Sequence, residues 1–89
     1  MKYVCKFEFS KLIKSSFIEQ EIIESILTTE DVFGQAKVQL SASYLVADNK
    51  AVIDVSTEVG EHVFSVFVGR LNRKLGRDQY SFQRVPANN

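Results

Sequence analysis

The sequence predicts a single α+β domain with its elements in the order β-α-β-β-α-β. Four segments alternate apolar and polar residues with the period of a half-buried strand, at 3–9, 36–46, 51–57 and 80–85. Two segments repeat apolar residues at helical spacing, at 17–28 and 60–75. A length of 89 residues suits one core, so we expect residues 1–85 to form the domain and residues 86–89 a frayed tail.

The first strand is predicted from strict alternation. It places Tyr3, Cys5, Phe7 and Phe9 on one face, and Val4 is the one apolar residue on the other face. This pattern is typical of a strand with one face against a core.

The first helix is predicted over residues 17–28. Ser16 and Glu19 have the spacing of a capping box, in which each side chain bonds the backbone of the other's position. The isoleucines that follow share one stripe of the helix: Ile18, Ile22, Ile23 and Ile26.

A hairpin is predicted around Asp48 and Asn49, because both residue types tolerate the positive φ of a two-residue loop. The loop predicts a register with four inward-facing pairs, Val46–Ala51, Tyr44–Ile53, Ala42–Val55 and Leu40–Thr57. A shift of one residue would mix core and solvent positions, so the alternation itself favours this pairing.

The segment 60–75 fits both a strand and a helix. Its β-branched and aromatic run, 63–68, has strand propensity, and Val66 and Gly69 disfavour a helix. The apolar spacing is nevertheless helical, Thr57 suits an N-cap, and Glu58 suits the positive end of the helix dipole. We therefore predict a helix.

The element order resembles the ferredoxin-like, split-βαβ arrangement over nearly the whole chain. The resemblance implies an antiparallel sheet of strand order 4-1-3-2 with both helices on one face. The sheet side of the expected core comprises Tyr3, Cys5, Phe7, Phe9, Val38, Leu40, Tyr44, Ile53, Val55, Tyr80 and Phe82. The helix side comprises Ile18, Ile22, Ile26, Val63, Phe64, Phe67 and Leu71.

Charge is balanced in total but uneven along the chain. The 11 basic and 11 acidic residues give a net charge of zero. The stretch 19–31 is acidic, whereas a candidate basic patch collects near the second helix: Arg70, Arg73, Lys74, Arg77 and Arg84. Compensation of the helix dipole explains this distribution, and a site for phosphate, nucleic acid or an acidic protein surface is the alternative. A pI of about 6.6 disfavours nucleic acid.

No residue pattern points to catalysis, a cofactor or a metal. Cys5 alternates with core positions and is expected to be a buried thiol, whereas His62, the only histidine, is expected on a solvated helix face. Since one cysteine allows no internal disulfide and no long apolar run is present, we expect a small soluble cytoplasmic domain without membrane contact.

The uncovered face of the sheet is the most informative surface. Stacking of RNA bases needs exposed aromatic residues on the central strands, and those of this chain are expected under the helices, which disfavours RNA binding. Lys6 and Asp54 are expected to form a cross-strand ion pair. Val4, Leu45 and Val52 form a candidate interaction patch, and scattered exposure is the alternative. The second strand, at an edge, offers a further pairing surface.

The predicted function is a small non-catalytic protein-interaction or accessory module that forms a homodimer. The first alternative is a regulatory module that senses a small molecule on the open face or in a dimer cleft. The second is weak nucleic-acid binding through the basic end of the second helix.

Overall fold

The computed structural model describes residues 2–87, which form an α+β domain with an open, antiparallel, four-stranded sheet. The strands are β1 (Tyr3–Phe9), β2 (Tyr44–Ala47), β3 (Lys50–Asp54) and β4 (Tyr80–Pro86). The helices are α1 (Ser15–Phe33), α2 (Gln35–Ser41) and α3 (Glu58–Lys74), and a 3₁₀ turn spans Arg77–Gln79. The strand order β2-β3-β1-β4 confirms the predicted order.

Helix α1 is longer than predicted and begins differently. Its N-cap is Lys14, whose carbonyl accepts from Phe17 and Ile18, and no side chain caps the helix. The predicted capping box is therefore wrong, because Ser16 already lies inside the first turn. The helix continues past Thr28 to Phe33, and the Thr28 and Thr29 hydroxyls donate to carbonyls one turn earlier, at 2.9 and 2.8 Å.

The segment 36–42 is the main error of the sequence prediction, since most of it forms α2 rather than a strand. Gly34, at φ 89°, reverses the chain after α1. Ala, Lys, Gln and Leu, which dominate the segment, favour helix, and one buried residue, Val38, anchors it. Leu40, expected in the core, is 89% exposed, and its predicted pairing with Thr57 is absent from the β2–β3 ladder, as is that of Ala42 with Val55.

The hairpin itself forms as predicted. Tyr44 faces Ile53, and Val46 faces Ala51. Asp48 takes the positive φ, at 55°. The short loop therefore determines the register even though β2 is only four residues long.

Helix α3 confirms the helical interpretation of residues 60–75. The Thr57 hydroxyl accepts from the backbone N–H of Gly60 at 3.0 Å, which is the predicted N-cap. Helices α1 and α3 pack on the sheet face that carries Cys5, Phe7 and Phe9, and the Phe7 and Phe67 rings meet edge to face at 5.0 Å.

Three residues expected in the core beside Leu40 are substantially exposed: Tyr3, Tyr44 and Phe82. Tyr44 and Phe82 belong to the edge strands β2 and β4, and Tyr3 lies at the end of β1. The central positions of β1 and β3 are buried instead, because the two packed helices cover the middle of the sheet.

The C-terminal strand extends one residue beyond the predicted domain limit. Pro86 faces Tyr3 in the β1–β4 ladder, and the Ala87 N–H donates to the Lys2 carbonyl at 2.9 Å. The remainder of the predicted tail, residues 88–89, lies outside the described residues. Within residues 2–87, no helix has the length and apolarity needed to cross a membrane.

Candidate functional site

The face of the sheet opposite α1 and α3 is free of covering elements in the described chain. Alternation along each strand and the three ladders assign its residues. They are Val4, Lys6, Glu8, Leu45, Ala47, Lys50, Val52, Asp54, Ser81, Gln83 and Val85.

The predicted interaction patch comes together on this face. Leu45 stands directly opposite Val52 across the hairpin. Val4 stands opposite Asp54, so Val4 and Val52 are diagonal neighbours on adjacent strands. Diagonal neighbours lie about 7–8 Å apart, so Val4 and Val52 lie near each other on the same face. Leu45 is 66% exposed, and Val4 and Val52 are half-buried.

A fourth residue, Val85, extends the patch and was missed by the sequence prediction. It stands opposite Val4 in the β1–β4 ladder and is half-buried. The alternation of β4 carries the signal, since Ser81, Gln83 and Val85 share one face. We call these four residues, Leu45, Val52, Val4 and Val85, the apolar stripe. The stripe crosses all four strands diagonally.

Charged residues flank the apolar stripe on both sides. Lys6 stands opposite Val52, not opposite Asp54 as predicted, because the register places Asp54 against Val4. The Asp54 carboxylate instead accepts from the Ser56 N–H at 2.8 Å and from the Ser56 hydroxyl. Within residues 2–87, neither Lys6 nor Asp54 has a salt-bridge partner.

Two members of the predicted basic patch, Arg70 and Lys74, bond the same carboxylate. Glu21 of α1 is only 3% exposed, and it binds Arg70 at 2.7 Å and Lys74 at 2.8 Å. Burial alone would raise the pKa of Glu21, but the hydrogen bonds and charges of Lys74 and Arg70 outweigh it and lower the pKa. This triad joins α1 to α3.

The remaining basic residues do not form one surface. Arg84 makes a bidentate pair with Glu61 near the start of α3, at 2.7 and 2.9 Å, and this bonding lowers the pKa of Glu61. Arg73 is exposed in the last turn of α3, and Arg77 begins the 3₁₀ turn. The first turn of α3 lies about 13 Å along the helix from Arg70, so Arg84 is separated from the other bases.

Cys5 and His62 have the side-chain types that most often act in catalysis, but neither is placed for it. Cys5 is buried, and burial raises the pKa of its thiol, which lowers its reactivity. His62 is half-buried rather than solvated: its Nδ1 lies 2.9 Å from the Thr29 hydroxyl, and its ring meets Phe33 edge to face. Residues 2–87 contain no cluster of three or more metal-ligating His, Cys, Asp or Glu side chains.

Two concave regions border α3, and a third, of about 370 Å³, lies on the open face beside Lys6, Glu8 and Gln83. A groove of about 440 Å³ runs between the β1–α1 loop and the end of α3, lined mainly by Leu12, Ile13, Phe17 and Leu75. Another, of about 460 Å³, lies between α3 and β4 and is lined by Val68, Asn72, Tyr80 and Phe82 among others. Two of the polar side chains there bond each other, since the Tyr80 hydroxyl donates to the Asn72 side chain.

Comparison with known proteins adds no relative: no family model, curated protein or solved structure matches the chain.

Proposed function

We propose that this domain is a non-catalytic protein-interaction module that acts as a homodimer, joined through the open face of its sheet. In this proposal the fold is a ferredoxin-like arrangement with α2 added before the hairpin, and the protein works in the cytoplasm.

The apolar stripe carries the proposal. Scattered aliphatic residues are ordinary on protein surfaces, but these four are neighbours in register and share one face. Each buried methylene adds about 0.8 kcal/mol of transfer free energy, so covering Leu45 and three valines supplies a useful share of an association energy. A net charge of zero adds no long-range repulsion between copies.

Self-association is tested by sedimentation velocity on the wild-type chain over a wide concentration range. We expect the dimer fraction to rise with concentration. A chain that stays monomeric at about 1 mM, equivalent to association weaker than about −4 kcal/mol, would contradict the proposal.

The surface used is tested with a matched pair of leucines. Leu45→Lys places a charge in the apolar stripe and should weaken the dimer at least about tenfold, because a charge must be buried or the stripe left uncovered. Leu40→Lys introduces the same change at an exposed residue of α2 and should leave the dimer intact. Equal effects of both substitutions would place the interface elsewhere.

A ligand-sensing role is the second candidate, at a different place from the open face or dimer cleft that the sequence predicts: the groove near Leu12 has a largely apolar lining. Apolar fragments that shift the Leu12 and Leu75 methyl resonances would favour this role. Weak nucleic-acid binding through the basic end of α3 is the third candidate, although Arg70 and Lys74 share their charge with Glu21. Absence of an RNA or DNA mobility shift at low salt would exclude it.

A further inference from the structure

We propose that the second copy binds with the two-fold axis lying along the apolar stripe, so that Lys6 of each subunit pairs with Asp54 of the partner subunit. The inference rests on the proposed homodimer and specifies its geometry. It is drawn from the positions that the three strand ladders give to charged and apolar side chains.

The open face forms a regular grid. One row across the strands reads Leu45, Val52, Lys6, Gln83, and the next reads Asp54, Val4, Val85 from β3 to β4. Neighbouring strands are about 4.8 Å apart, and successive same-face residues are about 6.8 Å apart. On this grid Lys6 and Asp54 lie on opposite sides of the stripe and at similar distances from it.

Consider a two-fold axis that lies in the plane midway between two facing sheets. It sets each residue of one copy against the residue that lies, on the other copy, at the position reflected across the axis. When the axis follows the stripe, apolar residues meet apolar residues. The same operation carries Lys6 to within about 2 Å, in projection, of the position of Asp54 on the other copy. Each dimer therefore contains the Lys6–Asp54 pair twice.

Other axes through the centre of the pattern are less favourable. An axis parallel to the strands places Val52 on Lys6 of the partner subunit, and one perpendicular to the strands places Val52 on Asp54 of the partner subunit. An axis perpendicular to the stripe preserves the apolar contacts but sets Lys6 against the partner's Lys6. Only the axis along the stripe matches both the apolar and the charged positions.

Both side chains are available for the pair. Within the described chain neither has a salt-bridge partner, and the two bonds from Ser56 both use Oδ1 of Asp54. Facing sheets pack about 10 Å apart, a gap that an extended lysine and an aspartate span together. Lys50 and Glu8 stand opposite each other in the β1–β3 register, farther from the stripe.

The size of the face predicts a weak dimer. Four strands at about 4.8 Å spacing and about six residues each cover roughly 400 Å² of plane. Stable interfaces bury about 800 Å² per partner, so we expect a weak dimer that is sensitive to single charges.

Charge reversal at the two positions tests the geometry. Lys6→Glu alone and Asp54→Lys alone should each weaken self-association at least about tenfold, because every dimer then holds two like-charge contacts. When the two variants are mixed, their heterodimer again contains two oppositely charged pairs. One is the wild-type Lys6–Asp54 pair, and the other has both charges reversed. The mixture should form a heterodimer within about threefold of the wild-type affinity, measured by sedimentation with one variant labelled.

The controls separate this inference from the homodimer itself. Glu8→Lys and Lys50→Glu reverse charges on the same face and should not form a preferred heterodimer when mixed. If the wild type dimerises and Leu45→Lys abolishes the dimer, but the Lys6 and Asp54 variants show no preference for each other, the axis is wrong and the homodimer stands. A monomeric wild type overturns both.

Folding defects are controlled with a milder change. Asp54→Lys loses the acceptor of the Ser56 bonds, so its circular dichroism spectrum must match the wild type before mixing. Asp54→Asn keeps an acceptor for Ser56 and removes the charge, and it should weaken the dimer about three- to tenfold with little loss of fold stability. An unchanged dimer in this variant contradicts the pairing.

Discussion

A methyl group built on Gly60 would lie 2.0 Å from the carbonyl oxygen of Asp54, so the first turn of α3 rests directly on the end of β3. Gly60→Ala must push the helix away from the strand, because backbone atoms cannot yield as a flexible side chain does. We expect a loss of about 1–3 kcal/mol or more, as in overpacked cores, measured by urea unfolding.

Gly69, in the same helix, is the control for Gly60. A methyl group there meets only the end of the Arg73 side chain, at 3.4 Å. Gly69→Ala should therefore gain up to about 1 kcal/mol from helix propensity. Equal responses of the two variants would contradict the close contact between α3 and β3.

Removal of the buried carboxylate should weaken the domain through the α1–α3 contact. Glu21→Gln leaves Arg70 and Lys74 without their anion, although both remain partly exposed to water. We expect a loss of about 1–3 kcal/mol at neutral pH. Glu19→Gln, a change at an exposed carboxylate of the same helix, should have little effect.

The same triad predicts acid sensitivity. The pKa of Glu21 is lower in the folded chain than in the unfolded chain. Its stabilising contribution is therefore complete above the unfolded value, about 4.3, and is lost as the pH falls through the lowered folded value. The urea concentration at the unfolding midpoint of the wild type should decrease as the pH is lowered through this range. The decrease should be smaller in Glu21→Gln. The remaining fall is expected to include Glu61, whose pKa is lowered by Arg84.

Asn49 holds the β1–α1 loop against the hairpin. Its side-chain amide donates to the carbonyls of Ser10 and Ile13, and its own carbonyl accepts from Phe9 at 2.8 Å. Asn49→Asp turns a donor into an acceptor facing two carbonyl oxygens, and we expect a loss of about 1–3 kcal/mol in thermal or urea unfolding. Asp48→Gly, next to it, should be nearly neutral because glycine accepts the positive φ. A neutral Asn49→Asp would show that the loop is held by other contacts.

Phe67 is fully buried beneath the aromatic residues of β1, so Phe67→Ala should cost about 3–5 kcal/mol. Phe82→Ala removes a ring that is 45% exposed and should cost clearly less. A thermal melt with similar losses for both variants would contradict the described core.

Whether the structure of a segment is predicted correctly depends on how many structures its residue pattern fits. The pairing of Tyr44 with Ile53 is predicted correctly because a two-residue loop leaves one register that keeps the alternating apolar residues of both strands on the same face. The strand predicted around Val38 was wrong because small and apolar residues in alternation also suit a short helix with one anchor. The alternation alone does not distinguish these two structures; the helix-favouring composition of the segment does.

The candidate site shows the same limit. Val4, Leu45 and Val52 were placed on one face by alternation, and Val85 was missed although it follows the same rule. The burial of Glu21 has no signal in the local sequence, because it depends on Arg70 and Lys74, 49 and 53 residues later in the chain. Such a contact exists only once the two helices meet.

The position of β1 has a consequence for the order of events in folding. This strand precedes the other three in the chain but lies inside the sheet, with Val4 facing both Asp54 and Val85. Its two neighbours therefore become available only after most of the domain has left the ribosome. The contacts that close the sheet are among the most distant in the chain, so we expect folding to be slower than in helical proteins of this size and to remain incomplete until β4 has emerged.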